Sequence, residues 1–150
     1  MAALLPQAEA AGRGFQQVLF LDARERLSLE ETGATNVMFR AGNQLLTPSL
    51  GDTLLDGVTR RSIMALAPGR GFEVVAWPLP WRETLADVAA GCISEAFGLG
   101  TRAGVLPFKC IGTAEQTLPL ASDGASSQLR AALRAEQLGQ EPQPWLDYVG

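Results

Sequence analysis

Short apolar runs, each closed by turn chemistry after a few residues, recur along the chain and restrict it to strands in those places. Val18-Leu19-Phe20-Leu21 is closed by Asp22, and residues 27–30 and 36–39 flank Gly33. Apolar runs of this length between turn residues fold as buried strands. Gly42-Asn43 is a hairpin pair, so residues 44–46 are the return strand, and Thr47-Pro48 opens a loop. Residues 72–77 are a further strand, stopped by Pro78 and Pro80. Residues 92–97 and 104–107 are strand-like, joined by Gly98-Leu99-Gly100-Thr101.

Elsewhere the apolar spacing is helical. Ala2, Leu4, Leu5, Ala8 and Ala11 predict a helix over 2–13, with Pro6 tolerated in its first turn and Gly12 and Gly14 ending it. Val58, Ile63, Leu66 and Ala67 share a face of a helix over 59–67, stopped by Pro68-Gly69. Residues 81–90 and 126–138 are two more, the last capped by Ser126 or Ser127. Residues 113–125 are polar and read as loop, and Trp145 and Tyr148 in the tail need an apolar surface to dock on. Strands mixed with three to four helices give an α+β or α/β domain.

The chain's 150 residues suit one domain, and 47% hydrophobic with 19% charged residues excludes disorder. A net charge of −4 argues against a nucleic-acid partner, which needs a basic face. There is no histidine, which removes the usual Ser-His and Cys-His pairs and most catalytic zinc sites. Lys109 is the single lysine, so Schiff-base chemistry must use it, the N-terminal amine or a lysine from elsewhere. Cys92 and Cys110 match neither a redox pair nor a metal knuckle and suit a reducing compartment. The N-terminal apolar stretch has no basic residue before it and is broken by Glu9, so no signal peptide or membrane span is expected.

Three places could carry chemistry. Gly57-Val58-Thr59 opens a helix, where free amides and the helix dipole favour an anion such as phosphate. Gly98-Leu99-Gly100-Thr101 can form an anion-binding nest with a hydroxyl donor. Of Glu30 and Glu31, the one facing inward needs a cationic partner, such as an arginine or a protonated heterocyclic nitrogen. Each also has a plain structural reading: an ordinary helix start, a tight turn, a solvated acidic pair. Lys109, beside Phe108 and Cys110, reads as a surface lysine.

In order along the chain, Gln17-Val18-Leu19-Phe20-Leu21-Asp22, Glu31-Thr32-Gly33-Ala34-Thr35-Asn36, Leu46-Thr47-Pro48, Leu54-Leu55-Asp56-Gly57-Val58-Thr59-Arg60 and Glu95-Ala96-Phe97-Gly98-Leu99-Gly100-Thr101 resemble the branched-chain amino acid aminotransferases. These are fold-type IV enzymes that use pyridoxal 5′-phosphate (PLP). The resemblance extends to residues 133–145, which favours this family over the D-amino acid aminotransferases and aminodeoxychorismate lyases. It implies an α+β fold, the large C-terminal domain of the D-amino acid aminotransferase-like architecture, over residues 1–150. It also implies transfer of the amino group of leucine, isoleucine or valine to 2-oxoglutarate. Glu31 matches the glutamate that pairs with the PLP ring nitrogen, and Val58 and Thr59 match the helix-start phosphate amides. Thr101 matches a second phosphate ligand, beside the amide that binds the substrate carboxylate, where this chain has Arg102.

The departures are as specific. The family's Schiff-base lysine precedes an asparagine–tyrosine pair before the first helix, and no residue here matches it, nor the tyrosine, nor the small N-terminal domain. Asp56 stands where the family has proline, Ala34 where many members have threonine, and Arg102 where a small residue is usual, a place from which it either clamps the substrate carboxylate or blocks it. Ala103 and Leu106 leave no CxxC switch. The expectation is a domain with no catalytic lysine of its own, binding PLP weakly and inactive alone. The alternative is a non-catalytic aminotransferase-like interaction or pseudoenzyme domain. The resemblance further implies a cytoplasmic protein, a homo-oligomer or a complementing chain, an amino acid or 2-oxo acid as small-molecule partner, and no metal, nucleic acid or membrane.

Overall fold

A computed structural model describes residues 2–3, 6–33, 35–50, 57–102, 104–121 and 124–139. The elements are β1 (Ala2–Ala3), α1 (Gln7–Gly12), β2 (Leu19–Leu21), β3 (Ser28–Thr32), β4 (Asn36–Ala41), β5 (Gln44–Thr47), α2 (Val58–Leu66), β6 (Glu73–Ala76), β7 (Leu79–Pro80), α3 (Trp81–Ala89), β8 (Glu95–Gly100), β9 (Gly104–Pro107), β10 (Cys110–Gly112), β11 (Thr117–Pro119) and α4 (Ala125–Gln137). A 3₁₀ turn, Ala67–Arg70, extends α2.

Two groups of strands share β3. One is the run β9-β8-β4-β5-β6, in which only β5 and β6 are parallel, joined by the α2 crossover. The other sets β1 on β2, β2 on β3 and β7 on β3. The register pair Glu31↔Asn36 connects them. Strand alternation gives the central run two buried faces. Met38, Leu45, Phe97 and Leu99 pack under α2 and α4 with Ile63, Leu66, Leu129 and Leu133. Val37, Phe39 and Ala96 face the other way, onto Leu21, Leu29, Leu79, Leu85, Ile111 and Leu118. This α+β arrangement of strands wrapped by four helices agrees with the sequence reading.

Several boundaries differ. Residues 2–13 are not one helix: Ala2–Ala3 pairs with Phe20 and Leu21, and the helix starts only at Gln7 with Pro6 as its cap residue. Proline disfavours helical backbone at the residue before it, so the helix opens after Pro6. In α2 the buried residues are Thr59, Arg60, Ile63 and Leu66, and Val58 is turned out to solvent. Residues 92–94 precede the strand, which runs on through Gly98 and Gly100. The stretch 113–125 contains β11, paired with β10 in a two-stranded ribbon. Neither Ser126 nor Ser127 caps α4; Gly124 is the cap residue, and the Glu95 carboxylate caps the helix from across the fold. The Gly42-Asn43 hairpin is as read: Ala41 pairs with Gln44, and Gly42 takes φ 63°. Trp145 and Tyr148 lie outside the described residues.

Candidate active site

Glu31 is paired across the sheet with Asn36, and Asn36 is paired on its other side with Leu99 of β8. Directly opposed residues send their side chains to the same face of a sheet. Leu99 packs in the core under α2 and α4. Glu31 and Asn36 therefore face the α2 side, while Thr32 lies on the other with Thr35, the register of β3 against β2 shifting between Leu29 and Thr32. Thr101 follows Leu99 by two residues, at the first position of the β8–β9 turn.

The start of α2 reaches the same point. The Gly57 N–H donates to Asn36 Oδ1 at 3.2 Å. Gly57 is extended (φ −68°, ψ 146°) and offers no side-chain cap, and no acidic residue occupies the first turn. The amides of Val58 and Thr59 have no acceptor within the helix, and the dipole makes this end electropositive. Arg60 anchors the turn from the other side. Its buried guanidinium donates from Nε to Thr47 Oγ1 at 3.3 Å and from Nη2 to the Pro48 carbonyl at 3.0 Å. Thr47 Oγ1 in turn donates to the Val37 carbonyl at 3.0 Å. The β3–β4 connection, the α2 start and the β8–β9 turn thus meet at one end of the sheet.

Glu31 is half-buried, and its carboxylate makes no hydrogen bond or ion pair among the described residues. Burial, and then the neighbouring charge of Glu30, hold its pKa above the ordinary carboxylate value of 4.5. A carboxylate in this state is stabilised by any cation with an N–H to donate. The residues present therefore fit a group with an anion at one end, for the α2 amides, and a protonated ring nitrogen for Glu31.

Not every motif has the role its pattern suggested. Gly98 does not belong to an anion nest. It lies inside β8, where an added Cβ would overlap Thr35 Oγ1 and press on Phe108, so it is a packing glycine. Gly100 pairs with Gly104, which leaves Thr101 and Arg102, both exposed, in the turn itself. Ala34, Asp56 and Ala103 lie outside the described residues. Lys109 is exposed and sits at a cavity of about 370 Å³ lined also by Phe15, Thr32, Phe108 and Cys110. Since Thr32 points away from the Glu31 face, this cavity lies behind the sheet, apart from the candidate site. Asn36 and Arg60 stand within the motif segments, but spacing gives neither a role. The partner of Asn36 is 21 residues further on, and only the fold brings it there.

A sequence profile of the amino-transferase class IV family matches residues 1–111. The chain belongs to that family. It is 37% identical over 150 residues to a probable branched-chain-amino-acid aminotransferase of Streptomyces coelicolor, covering 97% of this chain and 41% of the relative. It is 39% identical over 137 residues to the branched-chain-amino-acid aminotransferase of Mycobacterium tuberculosis, covering 89% and 37%. Among solved structures, the PLP form of the branched-chain amino acid aminotransferase of Thermobaculum terrenum superposes with a TM-score of 0.73 at 26% identity, covering 89% of this chain and 41% of that one. The chain thus spans about two fifths of the length of these class IV aminotransferases, and the part it spans has their fold.

Proposed function

We propose that residues 1–150 are the large domain of a PLP-dependent branched-chain aminotransferase, which moves the amino group of leucine, isoleucine or valine to 2-oxoglutarate. PLP, when bound, supplies an electron-withdrawing ring that stabilises negative charge at the α-carbon of an amino acid. The chain's own residues hold and tune that ring. Glu31 accepts a hydrogen bond from the ring nitrogen and keeps its proton in place, which relieves the carboxylate of its unmatched burial. Val58 and Thr59 donate backbone amides to the phosphate, and Thr101 adds a hydroxyl. The backbone at Arg102 takes the substrate carboxylate, and the guanidinium beside it adds positive charge. Lys109 has no part in this site. An oligomer, as the resemblance implies, would cover Leu50 and Trp77, both exposed and brought together where the Ser49 N–H donates to the Trp77 carbonyl.

One observation carries this reading: a half-buried carboxylate with no partner among the described residues, on the same sheet face as a helix start whose first amides have no acceptor within the helix. Titration of the chain with PLP, followed by cofactor fluorescence, tests it. Saturable binding that Glu31→Gln weakens is the expected result. Binding that is absent, or unchanged in Glu31→Gln, removes the reading. The chain alone is expected to form no glutamate from leucine and 2-oxoglutarate, and glutamate formation would overturn that expectation.

A further inference from the structure

We propose that Asn36 is the positioning residue of the phosphate subsite: it fixes the start of α2 over the sheet, in line with Glu31. The proposal rests on the PLP reading above and assigns a role to a residue that touches neither ring nor phosphate in it. Asn36 is 6% exposed, and its register is set on both sides, by Glu31 and by Leu99. Its side chain must therefore point under α2, where Oδ1 accepts the Gly57 N–H. That amide precedes the helix. Once it is satisfied from the sheet, the amides of Val58 and Thr59 stay available to an outside anion.

Contact also explains the glycine. The backbone of Gly57 is ordinary for any residue, so conformational freedom does not require glycine there. An added Cβ would instead overlap Asn36 Oδ1. The helix start approaches this closely only because position 57 lacks a side chain. Together with the Arg60 anchor on Thr47 and Pro48, the contact holds the first turn of α2 at two separated points. Donors held this way lose little freedom when an anion arrives, and preorganisation of that kind is where affinity comes from. The neutral amide matters too. An aspartate would keep an acceptor for Gly57 but set a negative charge beneath the phosphate.

The test compares PLP with pyridoxal, which has the same ring and no phosphate, on the full chain. Wild type is expected to prefer PLP. Asn36→Leu, close in size but without an acceptor, is expected to lower PLP affinity by about tenfold and pyridoxal affinity by less than about twofold. Asn36→Asp is expected to lower the PLP-to-pyridoxal ratio further, through charge. Exchange of the Gly57 amide, read by NMR, is expected to speed up in Asn36→Leu. A wild-type chain with no preference for PLP overturns the cofactor reading and this proposal with it. A clear wild-type preference left unchanged in folded Asn36→Leu overturns the positioning role alone. If Asn36→Leu does not fold, an unchanged ratio in Asn36→Asp overturns it.

Discussion

Two glutamates show how the surroundings of a single residue decide its chemistry. Glu95 is 2% exposed and fully engaged. It accepts from Arg40 Nη1 at 2.8 Å, from the Ala125 N–H at 2.9 Å, and from Ser126. Burial alone would raise its pKa, but the Arg40 hydrogen bond and the two α4 amides outweigh it, and the carboxyl sits below its usual 4.5. A depressed folded pKa contributes stability that is complete above about pH 4.5 and fades as pH falls through the lower folded value. Glu95→Gln should therefore cost about 2 kcal/mol at pH 7, as the cap and the charged hydrogen bond are lost. That gap should narrow in acid, as urea melts at pH 7 and pH 3 would show. Glu31 behaves in the opposite sense. Its raised pKa means the folded chain holds the proton more tightly, so stability is highest below about pH 4.5 and declines as pH rises through the folded value. Glu31→Gln should be more stable than wild type at pH 7, by little because water screens the half-exposed carboxylate, and the difference should shrink as pH falls towards 4. A residue that costs stability at neutral pH is placed as a binding group is placed.

At the scale of elements, strands were more legible than their neighbours. The run at β2, the β4–β5 hairpin and the helix of α2 follow from local pattern and turn chemistry, because each is decided by residues a few positions apart. The strand β1, the β10–β11 ribbon and the cap of α4 are decided by partners far away in the chain, and no local signal announces them. Glu95 illustrates this, since it caps a helix 30 residues later. The site divides the same way. Motif order offers Glu31, Val58, Thr59 and Thr101 as candidates, but not the contact that aligns α2 with β3. Gly98 departs from its pattern for a related reason: glycine in a pattern suggests a turn, whereas here it makes room in the middle of a strand. Gly98→Ala should destabilise the fold by about 1–3 kcal/mol, through overlap with Thr35 Oγ1 and pressure on Phe108. Part of the cost should vanish in a Thr35→Ala background, since the closest atom is then gone. Denaturant midpoints of the double-mutant cycle would measure that coupling.

The molecule as a whole separates two kinds of surface by a single sheet. On the α2 side lie the acid, the helix start and the β8–β9 turn. On the opposite side lie α1, the cavity and Lys109. Pairing sets the division: Glu31 is paired with Asn36 on the α2 side, while Thr32 is held on the other by a 2.8 Å hydrogen bond between its hydroxyl and that of Thr35. Since Lys109 lies on the far side of the sheet from Glu31, the only lysine of the chain is not placed to bond covalently with a ring held at Glu31. The consequence is measurable. Lys109→Arg should leave PLP affinity within about twofold of wild type, because the charge at the cavity mouth is kept and the site is untouched. Borohydride reduction of the PLP-loaded chain, followed by peptide mass spectrometry, should find no specific phosphopyridoxyl group on Lys109. A stoichiometric adduct there, lost together with PLP affinity in Lys109→Arg, would mean that the ring binds behind the sheet, and that the face carrying Glu31 serves another purpose.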